Sequence, residues 1–111
     1  MGPNMEYQTK LTLMIYNKDR SNHLRAEGEI VLPFLPSEGM HLQVGNMYPI
    51  TIVKVIWLTD DKIFHCITEE KMHDYEFDLD TDIDELTDVL DILRDAKLLG
   101  WKGCDKIYRD K

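Results

Sequence analysis

The stretch Tyr7–Tyr16, with the sequence YQTKLTLMIY, decides the fold that we predict for this chain. Its apolar residues Leu11, Leu13 and Ile15 occupy every second position, and Lys10 and Thr12 fall on the opposite face. Side chains of a β-strand point alternately to the two faces of a sheet. One face of this segment is therefore apolar, which predicts a strand that packs that face on a hydrophobic core.

Five more stretches along the chain have a strand-like pattern. The stretch from Met47 to Leu58 is mostly apolar on both faces, which predicts a central strand covered on both sides. Turn-forming residues separate the stretches, as at Gly45-Asn46. The other four predicted strands run from Leu24 to Phe34, Met40 to Val44, Ile63 to Thr68 and Tyr75 to Leu79.

The residues after the last of these strands predict an amphipathic helix. Asp82, with Glu85 three residues later, resembles a capping box, and Thr81 is an alternative first residue. Lys97 and Gly100 are typical of a helix end. Apolar residues recur at steps of three and four, as one face of a helix requires, at Ile83, Leu86, Val89, Leu90, Leu93 and Ala96.

Several strands followed by one helix are typical of the α+β class. Short connections favour pairing between strands that are neighbours in sequence. We therefore expect a small antiparallel sheet or a half-open β-barrel of five to six strands, followed by one C-terminal amphipathic helix. The 111 residues are enough for one core. We expect a single globular domain at 5–102, a disordered start or cloning remnant at 1–4 and a flexible tail at 103–111.

The charge of the chain is concentrated in one block. The net charge is −8, and residues 69–95 hold twelve acids against Lys71 and Arg94, a local net charge of −10. Such a block repels phosphate, so we expect no direct binding to nucleic acid and no association with an anionic membrane surface. It favours instead a protein partner with a basic surface.

The compartment is predicted from what the sequence lacks. No apolar run reaches the roughly 20 residues of a membrane span, and no secretory signal opens the sequence. Cys66 and Cys104 are too few for a disulfide framework, so we expect two free thiols. These features predict a cytoplasmic protein.

The acids of the predicted helix are the first candidate binding site. Asp84, Asp88, Asp91 and Asp95 are spaced by four, three and four residues, so a helix would place them in one stripe opposite its apolar face. Such a stripe is typical either of a solvated face or of a docking surface for a basic protein. Both interpretations stay open.

The segment Pro33-Phe34-Leu35-Pro36, which we call the proline-flanked patch, is the second candidate. Two large apolar side chains at a strand end are typical either of an exposed contact surface or of a segment that folds inward and closes the barrel. In the first case, Phe34 and Leu35 would contribute to partner binding.

No pattern in the sequence predicts a catalytic, metal or cofactor site. A calcium-binding loop starting at Asp80 would need glycine at its sixth position, where the chain has Glu85. His65 and Cys66 are adjacent and would point to opposite faces of a strand, and no zinc-ligand spacing is present. We expect no metal, no cofactor and no enzymatic activity.

These features predict a small non-enzymatic protein-binding module, an adaptor or inhibitor that uses the acidic helix face. Phages and mobile elements often encode proteins of this kind. One alternative is a small-ligand-binding or catalytic β-barrel, in which polar groups such as His65, Tyr48 and Tyr75 would meet in a pocket. The other is a structural subunit of a homo-oligomer, paired through the strand edge at Met40 to Val44 or through the proline-flanked patch.

Overall fold

A computed structural model describes residues 6–43, 49–70, 75–82, 85–86 and 102–109, and for residues 102–106 it describes the backbone alone. These residues contain six β-strands and no α-helix. The first strand has the bounds that its alternation predicts. The strands are β1 Tyr7–Tyr16, β2 Asn22–Leu32, β3 His41–Leu42, β4 Ile50–Leu58, β5 Ile63–Glu70 and β6 Lys102–Arg109.

All six strands belong to one mixed sheet in the order β3-β4-β5-β1-β2-β6. β1 lies inside the sheet. It pairs antiparallel with β2, where Leu11 lies opposite Gly28, and parallel with β5, where Leu11 lies opposite Cys66. β4 pairs antiparallel with β5, and β6 pairs antiparallel with β2.

The predicted fold class is wrong, because the sheet is neither antiparallel throughout nor closed into a barrel. β5 runs parallel to β1, and β3 and β6 are the two edges of the sheet. The connection after β2 explains the difference. Pro33 cannot donate a ladder hydrogen bond, so β2 stops before it, and the chain then crosses the sheet to β3 on the far side. β4 and β5 follow as a hairpin that adds to the free side of β1.

The predicted C-terminal helix does not close the fold, whose last element is a strand. Of that predicted helix the structure describes Asp82, Glu85 and Leu86. The Glu85 N–H donates to the Asp82 carbonyl oxygen at 2.9 Å in a turn, and Leu86 packs against the core. Most of the predicted helix and the predicted Gly45-Asn46 turn lie outside the described residues. Among the described residues, no helix is long and apolar enough to cross a membrane.

β6 comes from residues that the sequence assigns mainly to a tail. It adds to the outer side of β2, where Ile107 lies opposite Leu24 and packs against the core. The ring of Tyr108 stacks on the ring of His23 with centroids 5.3 Å apart, and the Arg25 guanidinium lies 4.2 Å from the Tyr108 centroid. The limits of the domain itself stay a prediction.

The hydrophobic core lies on one face of the sheet, which we call the core face. Leu11, Leu13 and Ile15 of β1 point to this face and are fully buried, as their alternation predicts. Met40, before β3, packs on the same core, and so does Phe77, after β5. The connecting segments therefore help to cover this face. The neighbouring strands add the buried residues Leu24, Ala26, Ile50, Ile52 and Cys66.

Candidate functional site

A shallow cleft of about 570 Å³ opens where the β1–β2 turn meets the segment that follows β5. Tyr75 and Phe77 contribute to its lining, and both are buried in the core. The cleft is therefore attached to the rigid part of the molecule. The remaining lining residues are Asn17, Lys18, Asp19, Glu76, Asp78 and Thr81.

Asn17 joins the two walls of this cleft. Its side-chain amide donates to the Phe77 carbonyl oxygen at 2.9 Å and to the Ser21 hydroxyl at 3.0 Å. Its side-chain oxygen accepts the Asn22 N–H at 3.0 Å. Because Asn17 is only 7% exposed, water competes little for these hydrogen bonds. The turn and the segment after β5 are thus held in one fixed arrangement.

The predicted strand from Tyr75 to Leu79 is wrong. Within it, Tyr75 alone forms a β-bridge, with Asn17. The chain then bends, because the Asp78 N–H donates to the Thr81 hydroxyl oxygen at 2.9 Å and the Thr81 N–H donates to the Asp78 carbonyl oxygen at 3.2 Å. A local side-chain bond of this type competes with sheet formation. The bend places the acids of this segment on the surface.

Six exposed carboxylates lie on the two segments that form the walls of the cleft, and we call them the acidic rim; Asp19, Glu76 and Asp78 line the cleft itself. Asp19 belongs to the β1–β2 turn, and the other five follow in the segment after β5. Every acid described between residues 76 and 85 is exposed. The rim therefore presents a concentration of negative charge to the solvent. Its members are Asp19, Glu76, Asp78, Asp80, Asp82 and Glu85.

Two of these carboxylates are held by hydrogen bonds from residues two or three positions further along the chain. Oδ1 of Asp19 accepts the N–H of Ser21 at 3.1 Å and its hydroxyl at 2.5 Å. Oδ1 of Asp78 accepts the N–H of Asp80 at 2.9 Å and the hydroxyl of Thr81 at 3.2 Å. These carboxylates have a defined orientation on the surface.

Two basic residues lie close to the rim. Lys18 lines the main cleft, and Arg109 lines a neighbouring cleft of about 380 Å³ that also includes Asp78 and Asp80. The linings of the two clefts together contain four acids and two bases, so the surface has a net charge of −2. It retains a negative potential of the kind that attracts cationic groups.

Two acids of the predicted charge block do not contribute to this surface. Glu69 and Glu70 end β5 and are 7% and 6% exposed. The Glu69 carboxylate pairs with the Arg20 guanidinium, which also lies over the Tyr16 ring at 3.9 Å from its centroid. A paired and buried carboxylate is unavailable to a partner. The exposed part of the block therefore begins after β5.

The proline-flanked patch is exposed. Phe34 is 39% and Leu35 is 57% exposed, and Val31, just before them, is 44% exposed. The patch follows the end of β2 that lies opposite Tyr7, whereas the acidic rim lies beyond the other end of β1. Ten residues of strand separate the two ends, about 33 Å. The structure does not bring the patch and the acidic rim together.

The four aspartates of the predicted helix stripe, Asp84, Asp88, Asp91 and Asp95, lie outside the described residues. Their role in binding stays a prediction. Tyr48 also lies outside the described residues.

His65 and Tyr75, two candidates for a ligand pocket, do not meet. His65 lies opposite Lys10 and its Nε2 is 2.8 Å from the Thr12 hydroxyl, on the face of the sheet away from the core. Tyr75 lies beside Asn17, which directly follows β1 and is seven residues from Lys10, or about 23 Å. Burial, together with the Lys10 ammonium, lowers the pKa of His65 below its usual value of 6.5, while the Glu27 carboxylate opposes this shift. Among the described residues, no group of three or more potential metal ligands occurs.

The cleft itself was not predicted from the sequence. In the sequence, Asn17 is only one of several polar residues in a predicted turn. Its partner Phe77 lies sixty residues away, and nothing in the sequence marks Asn22 as its other partner. The single available signal is the pair of turn-forming segments, Asn17–Asn22 and Asp78–Thr81, which favour side-chain to backbone hydrogen bonds. Their contact with each other depends on the parallel pairing of β1 and β5.

No family model, no curated protein and no solved structure matches this chain.

Proposed function

We propose that this protein is a small non-enzymatic protein-binding module, an adaptor or inhibitor, whose acidic rim recognises a basic protein. The observation that carries the proposal is the set of six exposed carboxylates on the two segments that form the anchored cleft, three of which line the cleft itself. Opposite charges steer two proteins together and select against partners with acidic surfaces. A partner with clustered lysines or arginines fits this surface best.

Preorganisation supports the proposal. Asn17 holds the turn to the segment after β5, and local hydrogen bonds orient the carboxylates of Asp19 and Asp78. A surface that is ordered before binding loses less conformational entropy in the complex. Ordered carboxylates also match the fixed fork of an arginine side chain better than mobile ones. The rim is therefore better suited to specific recognition than a flexible acidic tail.

Two further features extend the proposal. Asp84 lies between two members of the rim in sequence, and Asp88, Asp91 and Asp95 follow the rim, so these four acids would lengthen the negative surface offered to the partner. The proline-flanked patch is a separate apolar surface at the other end of the sheet. It would serve as a second contact for an extended partner.

The test compares three forms of the protein as bait in a lysate of its own source cells. The first is the wild type. The second, the rim variant, carries Glu76→Gln, Asp80→Asn and Glu85→Gln, which remove three charges with little change in shape. The third, a matched control, removes three exposed charges elsewhere through Glu6→Gln, Glu29→Gln and Glu38→Gln.

We expect the wild type and the control to capture the same basic protein, and the rim variant to capture much less of it. Exposed charges contribute little to folding, so all three forms should have the same urea midpoint. Equal capture by the rim variant and the control would reject the acidic rim as the binding surface.

A further inference from the structure

β4 has an outer edge that its neighbour covers only in part. β3 contains two residues, which pair with Ile50 and Thr51. The preceding residues extend this contact to Ile52, whose N–H donates to the Met40 carbonyl oxygen at 2.8 Å. Among the described residues, none pairs with the stretch from Lys54 to Leu58 on this side. This stretch, which we call the open edge, lies beyond the edge at Met40 to Val44 that the sequence suggested for self-association.

The register of β4 on β5 shows which backbone groups the open edge presents. Ile52 directs both its N–H and its C=O outward, so its pair with Thr68 of β5 has no hydrogen bonds of its own. Such pairs alternate with hydrogen-bonded ones along an antiparallel ladder. In steps of two along β5 from Thr68, the next pairs without hydrogen bonds are Cys66 with Val55 and Phe64 with Trp57. Val55 and Trp57 therefore point two N–H and two C=O groups away from the sheet.

We propose that the open edge pairs with the open edge of a second copy of this chain, antiparallel and about a two-fold axis at Ile56. In this register Val55 lies opposite Trp57 of the second copy, and Trp57 lies opposite Val55. All four outward N–H and C=O groups of each copy then find partners. A two-fold contact of this kind closes the assembly at two subunits, with one continuous sheet of twelve strands.

The side chains suit this register on the core face. Trp57 is 50% exposed although its ring packs edge-on against Phe64 with centroids 5.0 Å apart. The Phe64 ring in turn contacts Tyr7 at 6.0 Å. Pairing would place Trp57 against Val55 of the second copy and continue this row of apolar side chains across the junction. Aromatic and β-branched residues opposite each other stabilise a sheet.

The charges along the edge are complementary. Lys54 is exposed and would lie opposite Leu58 of the second copy, so the two lysines stay apart. The β4–β5 turn of the second copy follows immediately and contains Asp60, Asp61 and Lys62, a net charge of −1. Each Lys54 therefore faces an acidic turn. The symmetry of the dimer provides this attraction twice.

Sedimentation equilibrium over a range of protein concentrations tests the proposal. Two short strands give a small interface, so we expect a dimer with a dissociation constant of roughly micromolar strength. Ile56→Lys places two like charges directly opposite each other and should weaken dimerisation roughly tenfold or more. Val31→Lys introduces the same charge at an exposed position of β2 and should leave the dimer unchanged.

Disulfide formation between introduced cysteines tests the register of the two paired strands and does not rely on a destabilised variant. Ile56→Cys, with Cys104 replaced by serine, should form a disulfide-linked dimer on mild oxidation. Residues opposite each other in a pair without hydrogen bonds approach to about 4.5 Å between Cα atoms, which suits a disulfide. Leu58→Cys should link poorly, because this register separates the two copies of Leu58 by four residues along the strand.

Three results would overturn the proposal. The first is a wild-type protein that remains monomeric up to roughly 1 mM, well above the expected dissociation constant. The second is a dimer in which Leu58→Cys links and Ile56→Cys does not, because a different surface or register would then be responsible. The third is loss of the dimer in both Ile56→Lys and the control Val31→Lys, because the effect would then not be specific to the open edge.

Discussion

Asn17 is a polar side chain in a buried position, and it connects parts of the chain that are sixty residues apart. An amide loses its hydration on burial, so it stabilises the fold only when its donors and acceptor are used inside the protein. The Asn17 side chain bonds three residues, and one of them belongs to the segment that carries most of the acidic rim. The position of the rim therefore depends on this residue more than on any acid within it.

Replacement of Asn17 by alanine should lower the free energy of unfolding by about 2–3 kcal/mol. The substitution removes three hydrogen bonds and leaves the Phe77 carbonyl and the Asn22 N–H without their partner in a buried place. Urea unfolding followed by circular dichroism measures the change. Lys18→Ala, at the exposed neighbouring position, should shift stability by less than about 0.5 kcal/mol. Equal effects of the two substitutions would contradict the anchoring role.

Cys66 gives a second prediction at this scale. Its side chain is fully buried between β1 and β4, and burial raises the pKa of its thiol to about 11. The thiolate is the reactive form, so the folded protein should hold Cys66 unreactive at pH 8. With Cys104 replaced by serine, we expect iodoacetamide to modify Cys66 only after urea unfolds the protein. Rapid modification under native conditions would show that this part of the core is open.

At the scale of elements, some strands are predictable from local sequence and others are not. β1 has the bounds that alternation predicts, because its two faces differ strongly in polarity. β6 was missed, since only Ile107 and Tyr108 of its eight residues are large and apolar. Its position depends on contacts with His23, Arg25 and the core, which lie far away in sequence.

Removal of residues 102–111 tests whether β6 is part of the fold. Without β6, the outer side of β2 would lose its backbone hydrogen bonds, and Ile107 and Tyr108 would lose their packing. We expect a loss of about 2 kcal/mol or more in the free energy of unfolding, measured with urea. Removal of residues 110–111 alone should have no effect. If both truncations leave the urea midpoint unchanged, the segment is a tail, as the sequence suggests.

At the scale of the whole molecule, the order of the strands in the sheet could not be predicted from the sequence. Short connections predict neighbour-to-neighbour pairing, but the chain crosses the sheet after Pro33 and returns, so β5 meets β1 in parallel. Such a pairing depends on contacts distant in sequence, which no local pattern encodes. The charge block shows the same limit: composition predicts an acidic surface, yet Glu69 and Glu70 are buried at the end of β5.

The parallel pairing also decides where the acidic surface lies. Because β5 ends beside the end of β1, the chain after β5 reaches the β1–β2 turn, and Asn17 fastens it there. The rim is thus a product of topology as well as of composition. The same topology leaves β4 near an edge of the sheet, where the short β3 covers only its first residues.

The affinity for the captured basic partner, measured by titration calorimetry over a range of salt concentrations, tests the central claim most directly. Ion pairs between surfaces weaken with salt, so the wild type and the control variant should lose affinity steeply and in parallel as salt rises. The rim variant, with Glu76, Asp80 and Glu85 neutralised, should bind more weakly at low salt and show a shallower dependence. Identical affinity and salt dependence for all three forms would contradict the assignment of the acidic rim as the binding surface.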